Sequence, residues 1–175
     1  MRIGQELDNP SMETPPPITL RGAVPEDAPA IGAVFDAAVR ESWTYLGDLA
    51  LEPMFTPEDW EKLVVDHAPP NALTVAVDDS EHVVGFSAVH PADGEMFLLF
   101  VHPAYGGRGI GRTLLIAAHD ELRTAGRREA FLYVHEANER ALSVYAAAGY
   151  RPDGNDRVSD FRGVEIRELR LVTQL

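Results

Sequence analysis

The spacing of hydrophobic residues along this chain changes between the period of a strand and the period of a helix. Short apolar runs bounded by turn residues predict strands at 18–24, 73–77, 83–90, 95–101 and 130–134. Turns rich in Asp, Ser, Pro and Gly separate the three strands within 73–101, so these should pair as an antiparallel meander. Two further strands are predicted, one from Tyr150 onward and one at 164–172.

Apolar residues three or four positions apart predict four helices between these strands. The first begins near Pro25, and the second begins at Pro57 with Thr56 as its N-cap. The third spans about 109–125 and the fourth about 139–148. The apolar face of the first helix consists of Ile31, Val34, Phe35 and Ala38.

The composition limits the domain count and the chemistry. A chain of 175 residues that is 45% hydrophobic and 25% charged is typical of one globular, soluble domain, placed at 18–175. Residues 1–17 lack periodicity and end in three prolines, which predicts a flexible arm. The absence of cysteine excludes disulfides, a thiol nucleophile and a cysteine-based zinc site. Without a signal peptide or an apolar run near the ~20 residues of a membrane span, we expect a cytoplasmic protein with no membrane contact.

Negative charge is concentrated in the first 101 residues. They hold four basic and 18 acidic side chains, whereas residues 102–175 hold 11 basic and ten acidic ones. The net charge of −13 argues against a nucleic-acid partner. The acidic half either attracts an amine substrate through its field or is a solvated surface that favours solubility.

The most informative segment joins the strand at 95–101 to the helix that follows it. Four glycines occur within six residues, at Gly106, Gly107, Gly109 and Gly111. Glycine permits positive φ and close approach to an anion, and the free N–H groups and dipole of a helix N-terminus bind phosphate. No Lys-Ser or Lys-Thr follows, which excludes a Walker A loop, and a dinucleotide-binding fold would place such a loop after its first strand. A helix start after a tight turn, with no ligand, is the alternative.

This segment resembles motif A of the GCN5-related N-acetyltransferase (GNAT) family, Gln/Arg-x-x-Gly-x-Gly/Ala. Gly109 and Gly111 fill the two glycine positions. The Gln/Arg position falls on Gly106, where the chain departs from the pattern. Arg108 and Arg112 lie nearby in the sequence and offer positive charge instead.

A second segment, at 134–150, is similar to motif B of the same family. The motif combines a strand, Asn-x-x-Ala at a helix start, a tyrosine seven residues after the asparagine, and Gly-Phe/Tyr. These positions are filled without a gap by Asn138, Ala141, Tyr145, Gly149 and Tyr150. Together the two motifs identify a resemblance that covers residues 18–172.

The resemblance implies a fold and a reaction. The fold is the GNAT fold, of α/β (α+β) class, with a mixed, mostly antiparallel sheet of about seven strands and about four helices. The reaction uses acetyl-CoA and an amine acceptor in a ternary complex, with no metal, and a homodimer is compatible with it. The cofactor-binding residues carried over are Leu99, Phe100, Val101, Gly106, Gly107, Arg108, Gly109, Ile110, Gly111, Arg112, Asn138 and Tyr145. The backbone of the first three should pair with the pantetheine amides as an added strand would.

Two residues are the expected catalytic groups. Tyr145 is the family's usual general acid, whose hydroxyl would donate to the sulfur of CoA as the thiolate leaves; a core tyrosine beside Leu142 is the alternative. Glu95 is the expected general base, because it lies eleven residues before the Gln/Arg position, a spacing similar to that of the catalytic glutamate in the histone acetyltransferase branch. A solvated glutamate beside a turn is its alternative.

His90 and His102 are rival bases, because histidine titrates near neutral pH, although each also fits a structural role at a strand end. The remaining histidines, His67, His82, His119 and His135, have no comparable position in the sequence.

Three functions stay open. The first is acetyl transfer to a small amine or a peptide amine, the second is transfer from another acyl-CoA, and the third is a CoA-binding regulatory module without turnover. Tyr145 and Glu95 favour catalysis, whereas Gly106 gives the regulatory module its support. The aromatic residues Trp43, Tyr45, Phe55 and Trp60 either wall the acceptor site or belong to the core.

Overall fold

A computed structural model describes residues 17–68 and 71–175, so the arm predicted at 1–17 lies outside the described residues except for its last position. The strands are β1 (Thr19–Gly22), β2 (Ala72–Val77), β3 (Val83–His90), β4 (Glu95–Val101), β5 (Glu129–His135), β6 (Arg151–Pro152), β7 (Arg157–Phe161) and β8 (Val164–Gln174). The α-helices are α1 (Ala28–Ser42), α2 (Pro57–Asp66), α3 (Ile110–Thr124) and α4 (Glu139–Ala147).

The eight strands of the described residues belong to one sheet. Its order is β1-β2-β3-β4-β5-β8-β6, and β7 pairs with the first part of β8. Every pairing is antiparallel except that of β4 with β5, so the mixed, mostly antiparallel sheet is confirmed. The segment after Tyr150 forms two strands rather than one, because a turn in which Asp153 accepts a hydrogen bond from the Asn155 N–H (3.0 Å) interrupts it.

The predicted helix starts are confirmed by their local contacts. Thr56 caps α2 by accepting a hydrogen bond from the Asp59 N–H (3.3 Å), and the Asp59 carboxylate accepts from the Thr56 N–H in return (2.8 Å). The segment from Pro25 begins with a short 3-10 turn, Pro25–Asp27, before α1. The face of α1 that was predicted to be apolar is buried.

The helices cover both faces of the sheet. On one face α1 and α2 pack against β2 and β3, with Phe35, Val75 and Phe86 at the centre of the cluster. On the other face α3 packs against the sheet through Leu114, Leu115 and Leu122, and α4 lies beside it. Within the described part of the chain, no helix combines the length and apolar character needed to cross a membrane.

A bulge in β4 and a gap beside it position the candidate functional site. Ala88 pairs with Leu98 and Val89 pairs with Met96, so Phe97 is an extra residue in β4. A bulge of this kind bends its strand and increases the local twist. On its other side β4 meets β5 at a single pair, Glu95 with Phe131. Beyond that pair the two parallel strands separate, and the edge of β4 is open toward a cleft.

Candidate active site

The glycine segment forms a tight loop that ends at the N-terminus of α3. Gly107 and Gly109 have φ of +75° and +81°, values that side chains with a Cβ rarely adopt. The first hydrogen bond of the helix runs from the Thr113 N–H to the Gly109 carbonyl (3.0 Å). No described residue accepts a hydrogen bond from the N–H groups of 110–112. Free donors of this kind and the positive end of the helix dipole are the features that suit a helix start to an anion.

This loop forms one wall of a cavity of about 350 Å³ between α1, β4, α3 and α4, here named the loop cleft. The cofactor-binding residues predicted from the sequence that line it are Leu99, Phe100, Val101, Gly106, Gly107, Gly109, Ile110, Gly111, Arg112, Asn138 and Tyr145. Arg108 is the exception: it does not line the loop cleft, and its guanidinium lies 5.3 Å from the ring centre of Tyr105, a residue that does. The open edge of β4 faces this cleft.

Arg140 lies where the chain departs from motif A. A Cβ built on Gly106 would be 3.1 Å from the Pro103 carbonyl oxygen and 3.3 Å from Nη2 of Arg140. The guanidinium therefore occupies the space in which a Gln or Arg side chain at position 106 would begin. Arg140 also donates a hydrogen bond to Oε1 of Glu41 (2.6 Å), which links α4 to the end of α1 at the loop cleft. Arg140 was not among the residues predicted from the sequence, where its only signal is its place two residues after Asn138.

A second cleft adjoins the first on the α1 face of the sheet and is here named the aromatic cleft. It is lined by Phe35, Trp43, Met54, Phe55, Phe97, Phe100, Tyr133, Glu95, His135, Asn138, Tyr145, Arg157 and Glu168, among others. Of the four aromatic residues proposed from the sequence, Trp43 and Phe55 line this cleft. Trp60 is buried in the core, and Tyr45 contacts a cleft residue, His135.

Tyr145 and Asn138 line both clefts, so the two cavities meet at these residues. The Asn138 side chain caps α4 by accepting a hydrogen bond from the Ala141 N–H (3.1 Å), which fixes the start of the helix that carries Tyr145. Every fully buried side-chain polar atom in the described residues has a hydrogen-bond partner. The Tyr145 hydroxyl makes no such bond to a described residue, and its side chain lines both clefts. Burial raises the pKa of Tyr145, which keeps the hydroxyl protonated as a donor.

Glu95 is the first residue of β4 and lines the aromatic cleft. Oε2 of Glu95 is 3.1 Å from Nδ1 of His90, and Nε2 of His90 is 3.1 Å from Nε2 of His67. The structure thus brings one of the two rival histidines into contact with Glu95. His102 is placed differently: its Nδ1 accepts a hydrogen bond from the Ala104 N–H (3.2 Å) and caps a short 3-10 turn beside the loop.

His135 has a place that the sequence did not indicate. It ends β5 and lines the aromatic cleft together with Glu95 and Tyr145. The Tyr45 hydroxyl lies 2.7 Å from Nδ1 of His135, and Nε2 lies 3.8 Å from Glu168. Burial lowers the pKa of His135, so the ring is neutral near pH 7 and accepts from Tyr45. The place of His135 within β5 does not by itself indicate a functional role, because the clefts form only where β4 and β5 separate.

This chain is similar in sequence to known acetyltransferases. A model of the acetyltransferase (GNAT) family matches residues 35–150. A mycothiol acetyltransferase from Nocardioides sp. is 32% identical over 132 residues, which are 68% of this chain and 42% of that protein. The chain thus spans less than half the length of this relative.

Solved structures share the fold. An N-acetyltransferase from Staphylococcus aureus Mu50 is 17% identical, with a TM-score of 0.72 over 90% of this chain and 98% of that chain. The PaiA N-acetyltransferase from Thermoplasma acidophilum, solved in complex with coenzyme A, is 22% identical. Its TM-score is 0.59, over 91% of this chain and 99% of that chain.

Proposed function

Because this chain belongs to the GNAT family of acetyltransferases, we propose that it transfers an acetyl group from acetyl-CoA to a primary amine of a small molecule or a peptide. The amine attacks directly, in a ternary complex. The observation that carries the proposal is the junction of the two clefts, because Tyr145 borders both of them and Glu95 faces the same space. The name of the Nocardioides relative, an acetyltransferase, supports the same reaction.

The residues of the loop cleft fit a CoA molecule. The free N–H groups at the start of α3 suit its pyrophosphate, and Arg112 and Arg140 add positive charge. The open edge of β4 at Leu99, Phe100 and Val101 suits the pantetheine amides, which would extend the sheet as an extra strand. Acetyl-CoA supplies a thioester, whose carbonyl carbon accepts the amine and whose thiolate leaves.

The catalytic roles of Tyr145 and Glu95 follow from their places where the two clefts meet. In the transfer a C–N bond forms and a C–S bond breaks. The proton that the amine loses goes to the Glu95 carboxylate, and the Tyr145 hydroxyl donates its proton to the departing sulfur. A lysine-type amine, with a pKa of ~10.4, is only about 0.04% neutral at pH 7, so it needs such a base more than an α-amine does.

The alternative of a CoA-binding module without turnover drew its support from Gly106. Arg140 now supplies a cation at that position, and a regulatory module would need neither Tyr145 nor Glu95 in one space.

The direct test combines the purified protein with acetyl-CoA and a panel of amines, and measures thiol release together with the mass of the product. Thiol release that depends on one class of amine supports the proposal, and bound CoA without release for any amine contradicts it. A parallel panel of longer acyl-CoA donors tests the other acyl-transfer alternative.

The anion site gives the first prediction. Gly109→Asp should raise the Kd for acetyl-CoA at least tenfold, because its carboxylate would lie at the N-terminus of α3 and repel the pyrophosphate. An Asp at φ +81° strains the backbone by about 1–2 kcal/mol, so some stability is lost while the fold is kept. Gly126→Asp is the matched control: Gly126 also has φ +81° and open space where a Cβ would lie, but it follows the other end of α3. Equal Kd values for Gly109→Asp and the wild type, by calorimetry, would contradict the assignment.

The contact between Arg140 and Glu41 gives the second prediction. Arg140→Gln should raise the Kd for CoA by about three- to thirtyfold, because a charge-assisted hydrogen bond to a phosphate is lost. Glu41→Gln should leave binding unchanged or tighten it, since Glu41 competes with phosphate for the same guanidinium. Arg162→Gln removes a comparable ion pair, that of Arg162 with Glu52, which lies outside the loop cleft. It should not change the Kd for CoA. Titrations at two salt concentrations check the ionic origin, and an unchanged Kd for Arg140→Gln would refute it.

The third prediction concerns the leaving group. Tyr145→Phe should lower kcat by about 10²-fold or more while the KM for acetyl-CoA changes little, because the hydroxyl acts on charge that appears only as the thiolate departs. Tyr150→Phe is the control: its hydroxyl bonds His119 (2.8 Å) under α3, so the change should lower stability and not kcat. Wild-type turnover in Tyr145→Phe would leave Tyr145 as a packing residue.

The fourth prediction concerns the base. Glu95→Gln keeps the size of the side chain but accepts no proton, so kcat/KM at pH 7 should fall and the acidic limb of its pH profile should flatten. With a lysine-type acceptor, activity should recover toward pH ~10, where the amine loses its proton unaided. With an α-amine the defect should be small. Asp93→Asn, in the exposed turn before β4, is the control. A Glu95→Gln profile that overlays the wild type would move the role to another group in the cleft.

A further inference from the structure

A continuous chain of hydrogen bonds runs from Glu95 into the fold. Oε2 of Glu95 lies 3.1 Å from Nδ1 of His90, and Nε2 of His90 lies 3.1 Å from Nε2 of His67. Nδ1 of His67 then lies 2.8 Å from the carbonyl oxygen of Leu63. Both nitrogens of both imidazoles are therefore engaged, and the chain ends on an atom that can only accept.

This hydrogen-bond chain can hold one more proton than it carries when both imidazoles are neutral and Glu95 is ionised. Three hydrogen bonds need three protons, one in each contact. Two neutral imidazoles and a carboxylate hold only two. The bond to the Leu63 carbonyl requires a proton on Nδ1 of His67, and the other two contacts then lack one proton between them. A third proton on Glu95, His90 or His67 completes all three bonds.

The surroundings hold the three groups in line. The ring of Phe97, the extra residue of the β4 bulge, stacks on both imidazoles, with its centre 4.8 Å from that of His90 and 5.9 Å from that of His67. His67 is buried, and burial lowers its pKa, which favours the neutral imidazole. His90 keeps 26% of its side chain exposed, in a groove beside α2, which gives the chain an exit to solvent.

Charged and titratable groups face this chain from several elements. From α2 they are Asp59, Lys62 and Asp66, from β5 His135, from β7 Arg157, and from β8 Glu168. Most of them are paired: Lys62 with Asp66 (2.5 Å) and Arg157 with Glu168 (2.5 Å). Arg157 also attracts Glu95 across the aromatic cleft, so it is a cationic neighbour of the hydrogen-bond chain.

We propose that Glu95, His90 and His67 accept the proton of the acceptor amine as one unit. This inference rests on the proposed acetyl transfer. The amine N–H bond breaks as its proton passes to the Glu95 carboxylate, and the protons along the chain then rearrange so that every contact holds one. The unit returns to its starting state when His90 releases a proton to solvent. His90 and His67 act through Glu95, so they are positioning residues: the proton that Glu95 accepts is stabilised because it completes all three hydrogen bonds.

The first test needs no substrate. The imidazole signals of His67 and His90 are followed by nitrogen-edited NMR while the pH is varied. In a coupled chain, Glu95→Gln should move the titration midpoint of His67 to lower pH by about 0.5 unit or more, although Glu95 touches only His90. His90→Phe keeps an aromatic ring at this position but breaks the hydrogen-bond chain. In that background, Glu95→Gln should move the titration midpoint of His67 by less than about 0.2 unit. Shifts of equal size in both backgrounds would reflect distant charge alone and would overturn the proposal.

The second test reads the reaction. His67→Gln should lower kcat/KM at pH 7 by about three- to tenfold and move the acidic limb of the profile to lower pH by about 0.5 unit, with no change in the KM for acetyl-CoA. His119→Gln, which removes an imidazole bonded to Tyr150 outside the chain, should leave the limb in place. A His67→Gln limb that coincides with the wild type would overturn the proposal. If the wild type acetylates no amine, the proposed function fails, and the NMR midpoints still decide whether the chain is coupled.

Discussion

The site depends on one feature of the sheet, the separation of β4 from β5 after a single backbone pair. Parallel neighbours ordinarily continue their hydrogen bonds along the strand. Here only Glu95 and Phe131 are paired, and the bulge at Phe97 bends β4 away. The gap exposes the edge of β4, admits α4 with Tyr145, and opens the loop cleft and the aromatic cleft on either side. Continued pairing would close both.

The same bulge determines which face of the sheet receives the carboxylate. Met96 packs in the cluster under α3, whereas Leu98, two residues on, packs in the cluster under α1. Without the extra residue these two side chains would share a face, because strand side chains alternate. The bulge therefore places Glu95 with Leu98 and Phe100 on the side of the aromatic cleft. It also puts Phe97 against His90 and His67.

Charge is arranged locally against a strongly negative background. The chain carries a net charge of −13, yet the loop cleft offers free N–H groups, Arg112 and Arg140. In the aromatic cleft, by contrast, Glu95 contacts His90 and Glu168 binds Arg157. One cleft thus suits phosphate, and the other holds paired groups that can exchange protons. The two clefts meet at Tyr145, so its protonated hydroxyl lies between the positively charged loop cleft and the paired groups of the aromatic cleft.

The sequence by itself determined what depends on neighbours along the chain. Thr56 and Pro57 set the start of α2, the spacing of Ile31, Val34 and Phe35 set the buried face of α1, and the glycines set the loop before α3. Only the tertiary structure decided what depends on strands meeting or parting: the bulge at Phe97, the contact of Arg140 with the space beside Gly106, and the places of His67 and His135. These residues are distant in sequence from the groups they contact, and local periodicity carries no information about which strands separate.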